Sequence, residues 1–203
     1  MSAFPAGRLS RAAGSVPRAL LALAALVVLA AAGGAVLPQA SAQSPPNREY
    51  QIKAAFLFNF GQFVDGFPEL QPPDGDVPFV IGVLGEDPFG ETLDALVADR
   101  RIQEHPVVVE RYRTLEEVDT CQVLFVSSSE AERQDEVLRA LEGRGVLTVG
   151  ETPEFADGRG IIEFVVAGNR IRLEINVAAA AREGLTISSR LLRLADVIYT
   201  ETR

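Results

Sequence analysis

The chain has 203 residues, with 19 Lys+Arg against 28 Asp+Glu, for a formal charge of −9; the first 42 residues hold three arginines and no acid, so the remaining 161 carry 16 bases against 28 acids, or −12. An apolar fraction of 47% with 23% charged residues is ordinary globular composition, long enough for a sizeable core, and the acidity disfavours nucleic acid and anionic membranes, which need clustered Lys and Arg. One cysteine, Cys121, and one histidine, His105, exclude an internal disulfide and a cysteine-based zinc cluster and leave a Ser-His-Asp triad hanging on one residue.

At the N-terminus Arg8, Arg11 and Arg18 precede an apolar run of 14 residues, Ala19 to Ala32, followed by the small-residue site Ala40-Ser41-Ala42. That order is a secretory signal peptide, and the run is shorter than the ~20 residues that span a bilayer. Cleavage is expected after Ala42, leaving one domain over residues 43–203 in the periplasm; a retained anchor is the alternative. The lone Cys121 reads as a small buried residue, with an intermolecular disulfide or redox-sensitive thiol as the alternative.

After a short leader, Glu49–Val64 reads as a helix. Steps of ~100° gather Ile52, Phe56, Leu57, Phe60, Phe63 and Val64 on one stripe. Lys53 falls inside that stripe and Phe58 falls among the polar residues, either as a partly covered surface aromatic or as a protein contact. A Pro- and Gly-rich loop leads to Phe79–Leu84, a continuous apolar run fitting a strand buried on both faces. Asp87 and Pro88 suit the N-cap and first position of a helix reaching Ala98. Pro106–Glu110, Gln122–Val126 and Gly145–Val149 are further strands. Thr114 and Glu117 suggest a capping box, and Ser128 or Ser129 caps a helix from Glu130 to Leu141. Ile161–Val166 and Arg170–Ile175 flank a short turn and form a hairpin. Helical pieces are expected at Val177–Arg182 and from Ser188 to about Tyr199. The alternation implies an α/β fold: a mixed sheet with parallel strands, crossover helices and a C-terminal antiparallel hairpin.

Catalytic motifs fail one by one. Gly85–Thr92 has the glycine spacing of a phosphate loop, but Glu91 stands where a lysine belongs, and Glu86 and Asp87 would repel phosphate. A dinucleotide fingerprint is absent. Ser127-Ser128-Ser129 follows a strand without the glycines of a nucleophile elbow, and only His105 could serve it as base. No catalytic, metal or cofactor residues are assigned. Glu174 and Asn176 point the same way near the end of the last hairpin strand, beside Arg170 and Arg172. They either lock the C-terminal segment or form, with Ile162, Phe164 and Leu191 at the rim, a recognition surface.

Five blocks carry a family resemblance: Lys53–Phe60, Val83–Gly90, Cys121–Ser127, Val146–Val149, and Arg172–Asn176 with Leu185–Leu192. In this order they resemble the YfiR-like family over roughly Glu49 to Val197. The resemblance implies a periplasmic, non-enzymatic, dimeric α/β repressor that binds the periplasmic part of an inner-membrane diguanylate cyclase and lowers cyclic di-GMP, and with it biofilm matrix production. It places Ile162, Glu174 and their neighbours Phe164, Asn176 and Leu191 in the region of partner contact. The paired cysteines of the best-known family member have no counterpart beside Cys121. The alternative function is a small-molecule sensing module that signals to a sensor kinase or other receptor, with its site at the carboxyl ends of strands around Gly85–Phe89 and Ser127–Glu130.

Overall fold

The computed structural model describes residues 48–70, 77–168 and 170–201. The expected signal peptide, its cleavage site and the leader to Asn47 lie outside the described residues. So do the centre of the loop after the first helix and Asn169 in the hairpin turn.

In chain order the elements are α1 (Arg48–Phe63), β1 (Val64–Asp65), β2 (Phe79–Leu84), α2 (Glu91–Val97), β3 (Arg101–Ile102), β4 (His105–Tyr112), β5 (Val123–Val126), α3 (Gln134–Leu141), β6 (Leu147–Gly150), β7 (Ile162–Ala167), β8 (Arg170–Asn176), α4 (Val177–Arg182), β9 (Thr186–Ile187), α5 (Ser189–Leu192) and β10 (Ala195–Tyr199). The main sheet runs β10-β8-β7-β6-β5-β2-β4-β3, and β1 pairs with β9 in a separate two-stranded ribbon. The strands β4, β2, β5, β6 and β7 are mutually parallel, β7 and β8 form the antiparallel hairpin, and β10 lies parallel to β8. The mixed α/β sheet is therefore the one expected, with one further strand at each end, β3 and β10.

The apolar run of β2 is buried throughout because both faces are covered. Phe79, Ile81 and Val83 face α1 and α2, in a core with Phe60, Leu93 and Phe164. Val80 and Leu84 face α3, with Val137, Leu138 and Leu141. Gly82 between them leaves room for the Tyr112 ring, which a Cβ would meet at 2.7 Å. No helix bridges β6 and β7. Instead Phe155 is buried on the second face against Gly150 and Gly160, at either of which a Cβ would stand 2.2 Å from its ring.

Several local expectations are corrected. The segment after Ser188 is helical only to Leu192 and then becomes β10, whose register slips between Ala195 and Val197. Helix α2 starts at Glu91, not Pro88. Asp87 instead accepts a hydrogen bond from the Phe89 N–H at 2.7 Å, within the turn that precedes it. Ser127, rather than Ser128 or Ser129, caps the turn of 3₁₀ helix that leads into α3. The Thr114 side chain does not cap the 115–117 turn, and the Glu117 carboxylate accepts from the Arg113 N–H, one residue before the cap, so the expected box is not formed. On α1, Ile52 is 40% exposed, whereas Phe58 is buried beneath the Arg100 guanidinium. The helix packs on the sheet and on α2 together, so its covered face is wider than one stripe.

Candidate functional site

Two regions bear on function: the crevice at the carboxyl ends of the parallel strands, and the C-terminal hairpin with its added strand. The crevice follows from topology. The chain leaves β2 towards α2 on one face and leaves β5 towards α3 on the other. The loops after these neighbouring strands therefore part, as they do at the ligand-binding switch point of doubly wound sheets. The space between them is a depression of about 400 Å³ lined by Tyr50, Glu86, Asp87, Pro88 and Ser127–Ser129.

Its walls are fixed by Gly85, Glu86, Asp87 and Ser129, which the sequence singled out, and by Asp94 and Arg111, which it did not. Gly85 has φ +88°, and a Cβ there would stand 2.3 Å from the Ser129 Oγ, so only glycine fits. The Glu86 N–H donates to that hydroxyl at 2.9 Å. Asp87 and Asp94 share Arg111, at 2.7 and 2.5 Å, and the same guanidinium donates to the Gly90 carbonyl at 3.0 Å. The hydrogen bond to Asp94 foremost raises the Arg111 pKa, and the same contact lowers that of Asp94. The loop with phosphate-like spacing is thus closed by its own carboxylate and an internal arginine.

Beside the crevice the first turns of α1 carry a buried ion cluster. Lys53, inside the apolar stripe, is 1% exposed and reaches Glu151 at 2.6 Å and Glu49 at 2.5 Å. Burial opposes its charge, but the hydrogen bonds to the two carboxylates outweigh it, and its pKa is raised. The Tyr50 hydroxyl donates to Glu151 at 3.4 Å, and its ring packs edge-on against Phe89. Sequence reasoning did not find this cluster. The Glu49–Lys53 spacing of one helical turn was its local signal, but Glu151 lies almost a hundred residues further on.

His105 and the serines do not meet. His105 opens β4 at the amino end of the sheet, where its Nδ1–H donates to the Val77 carbonyl at 2.8 Å. Ser127 follows β5 at the opposite, carboxyl end. The pairing on which a hydrolase would depend is not formed.

The hairpin residues are brought together, chiefly as core. Ile162, Phe164, Asn176 and Leu191 are each at most 1% exposed. Phe164 lies among the rings of Phe56, Phe60 and Phe125. Asn176 accepts from the Ala179 N–H at 2.8 Å, capping α4, and donates to the Ala156 carbonyl at 2.8 Å. Glu174, half-buried, is the exception. It accepts from the Tyr199 hydroxyl at 2.6 Å, which pushes that phenol up to about 12. Directly across the hairpin stands Glu163, whose pKa burial raises. Solvent meets Arg170, Arg172 and Val166 of the hairpin and Leu194, Val197 and Ile198 at the sheet edge.

This fold is a mixed sheet of the doubly wound kind with a C-terminal hairpin and a short returning strand, and the described site residues assemble no catalytic constellation. The chain matches the family model described as YfiR/HmsC-like over residues 50–196 and belongs to that family. A comparison with curated proteins finds no match. The family is regulatory rather than catalytic; its members act with a partner membrane protein and are typically periplasmic.

Proposed function

We propose that this chain is an exported, non-enzymatic repressor that binds the periplasmic part of a membrane diguanylate cyclase and lowers cyclic di-GMP. The observation that carries this reading is the family match, which spans α1 to β10. Repression works by population shift: the chain binds the inactive conformation of the receptor more tightly, and the difference in affinity sets the inhibition. The receptor meets the outer side of the C-terminal hairpin. Glu174 belongs to that contact, and Ile162, Phe164, Asn176 and Leu191 shape it from beneath. The chain acts as a homodimer joined through β10. That edge strand exposes Val197 and Ile198 with little charge to guard it, and such edges are paired or protected in folded proteins. Affinity capture tests the receptor contact: solubilised membrane proteins passed over the immobilised chain return a diguanylate cyclase, and Glu174→Lys abolishes its retention. Retention of the cyclase undiminished by Glu174→Lys contradicts the contact.

A second reading is favoured by the crevice: a sensing module whose ligand sits between Gly85–Phe89 and Ser127–Glu130. The two loops line one depression of about 400 Å³, within the range of small-molecule sites. A metabolite screen by thermal shift discriminates: saturable stabilisation lost in Ser129→Trp supports this reading, and an empty screen removes it.

A further inference from the structure

A second groove lies on the other side of the first turns of α1, between that helix and the tip of the β7–β8 hairpin. Its volume is about 430 Å³. Its floor is made of two apolar pairs. Ile52 and Phe56 are one turn apart on α1, and Val166 and Ile171 are directly opposed across the hairpin. Ile52 and Val166 are 40% and 50% exposed, so the pairs face each other across open space rather than in contact with a cover. Phe56 and Ile171 lean on the core, and Phe56 stacks towards Phe60 and Phe164, which closes the inner end.

The mouth is of different chemistry. Arg48 stands one turn before Ile52 on the same stripe of α1, and Arg170 immediately precedes Ile171. Among the described residues neither arginine has an ion-pair partner, although the chain is strongly acidic. The one carboxylate on the rim, Glu49, is engaged by Lys53. The mouth also lies at the start of a 16-residue helix, where the positive end of the dipole favours an anion. The groove thus runs from a cationic end to an apolar end along one line of side chains: Arg48, Ile52, Phe56.

We propose that this groove binds an amphipathic monocarboxylate, its carboxylate between Arg48 and Arg170 and its hydrocarbon body along Ile52, Phe56, Val166 and Ile171. Arginine suits a carboxylate through paired N–H donors, and the volume is that of a small-molecule site rather than a protein interface. The site is separate from the β2/β5 crevice, and its occupancy is independent of whether the chain represses a cyclase.

The probes are decanoate, decanol and decylamine, titrated below micelle formation into the protein purified in the form that accumulates in expressing cells. Binding is followed by calorimetry, and oligomeric state by light scattering. Decanoate is expected to saturate one site per chain and to bind roughly tenfold or more tightly than decanol, with decylamine weaker still. Arg48→Gln with Arg170→Gln brings decanoate down to the affinity of decanol, while Ile52→Ser weakens both and leaves the thermal midpoint of the free protein unchanged. Equal binding of decanoate and decanol, decanoate binding unaffected by the double arginine variant, or no binding of decanoate overturns the proposal. So does a groove occupied by a second copy, seen as decanoate binding that disappears in step with dimer formation.

Discussion

The Lys53 ammonium lies 2.6 Å from the Glu151 carboxylate, joining the first helix to the end of β6 across a site almost closed to solvent. Removing one partner of such a pair leaves a buried charge uncompensated. Lys53→Met is therefore expected to lose about 3 kcal/mol of stability in urea unfolding at pH 7, and adding Glu151→Leu to recover part of it. The folded pKa of Lys53 is raised, so its contribution is complete at neutral pH and is lost only as pH climbs through that folded value. A loss in Lys53→Met no larger than that of a surface substitution contradicts this role.

Glu163 gives a pH dependence of the same sign, but as a carboxyl it loses its contribution at lower pH than Lys53. It faces Glu174 directly across the hairpin, with Asp157 also near, and burial foremost raises its pKa. A carboxyl whose folded pKa lies above its unfolded one favours folding when protonated, so its contribution falls as pH rises through the folded value. Glu163→Gln keeps an oxygen for the Ala156 N–H, which Glu163 Oε2 accepts at 3.0 Å. Thermal unfolding is expected to show this variant more stable than the parent at pH 8, with the difference vanishing at pH 4. A variant less stable at both values refutes the assignment.

Asn176 locks the chain where the hairpin becomes α4. Asn176→Ala loses the cap and leaves the Ala156 carbonyl short of a donor, at a cost of about 2 kcal/mol in denaturant unfolding. Asn176→Asp, which keeps the capping oxygen alone, falls between the two. An alanine variant as stable as the parent shows that the lock is dispensable.

The edge strand separates association from folding. Val197→Lys with Ile198→Lys is expected to convert a dimer to a monomer in light scattering. Both side chains are partly exposed, so unfolding should move by no more than about 1 kcal/mol. An unchanged mass contradicts a dimer joined through β10.

Much of the fold was legible because its periodicities are local. The all-apolar β2, the alternation of strand and helix to β6, and the hairpin around Gly168 each declare themselves within a few residues. The last strand did not. Ser188 is a good cap, its hydroxyl accepting from the Leu191 N–H, and the register slip between Ala195 and Val197 breaks the period-2 pattern that would have marked β10. Phe58 was misplaced because a helical wheel reports one buried face, whereas α1 is covered by the sheet and by α2. The candidate site was half legible. Gly85, Asp87 and Ser127–Ser129 stand where strand ends place them. Lys53 gained its role from a carboxylate that only tertiary structure brings near. Ile162 and Phe164 shared a sequence neighbourhood with Glu174, but they occupy the sheet face turned to the core.

Repression of a membrane cyclase is tested by cellular cyclic di-GMP with the gene deleted and then restored, in cells shown to express the captured cyclase. A rise on deletion is expected, which the parent chain reverses and a Glu174→Lys chain does not. An unchanged nucleotide level on deletion, with the cyclase present, contradicts it.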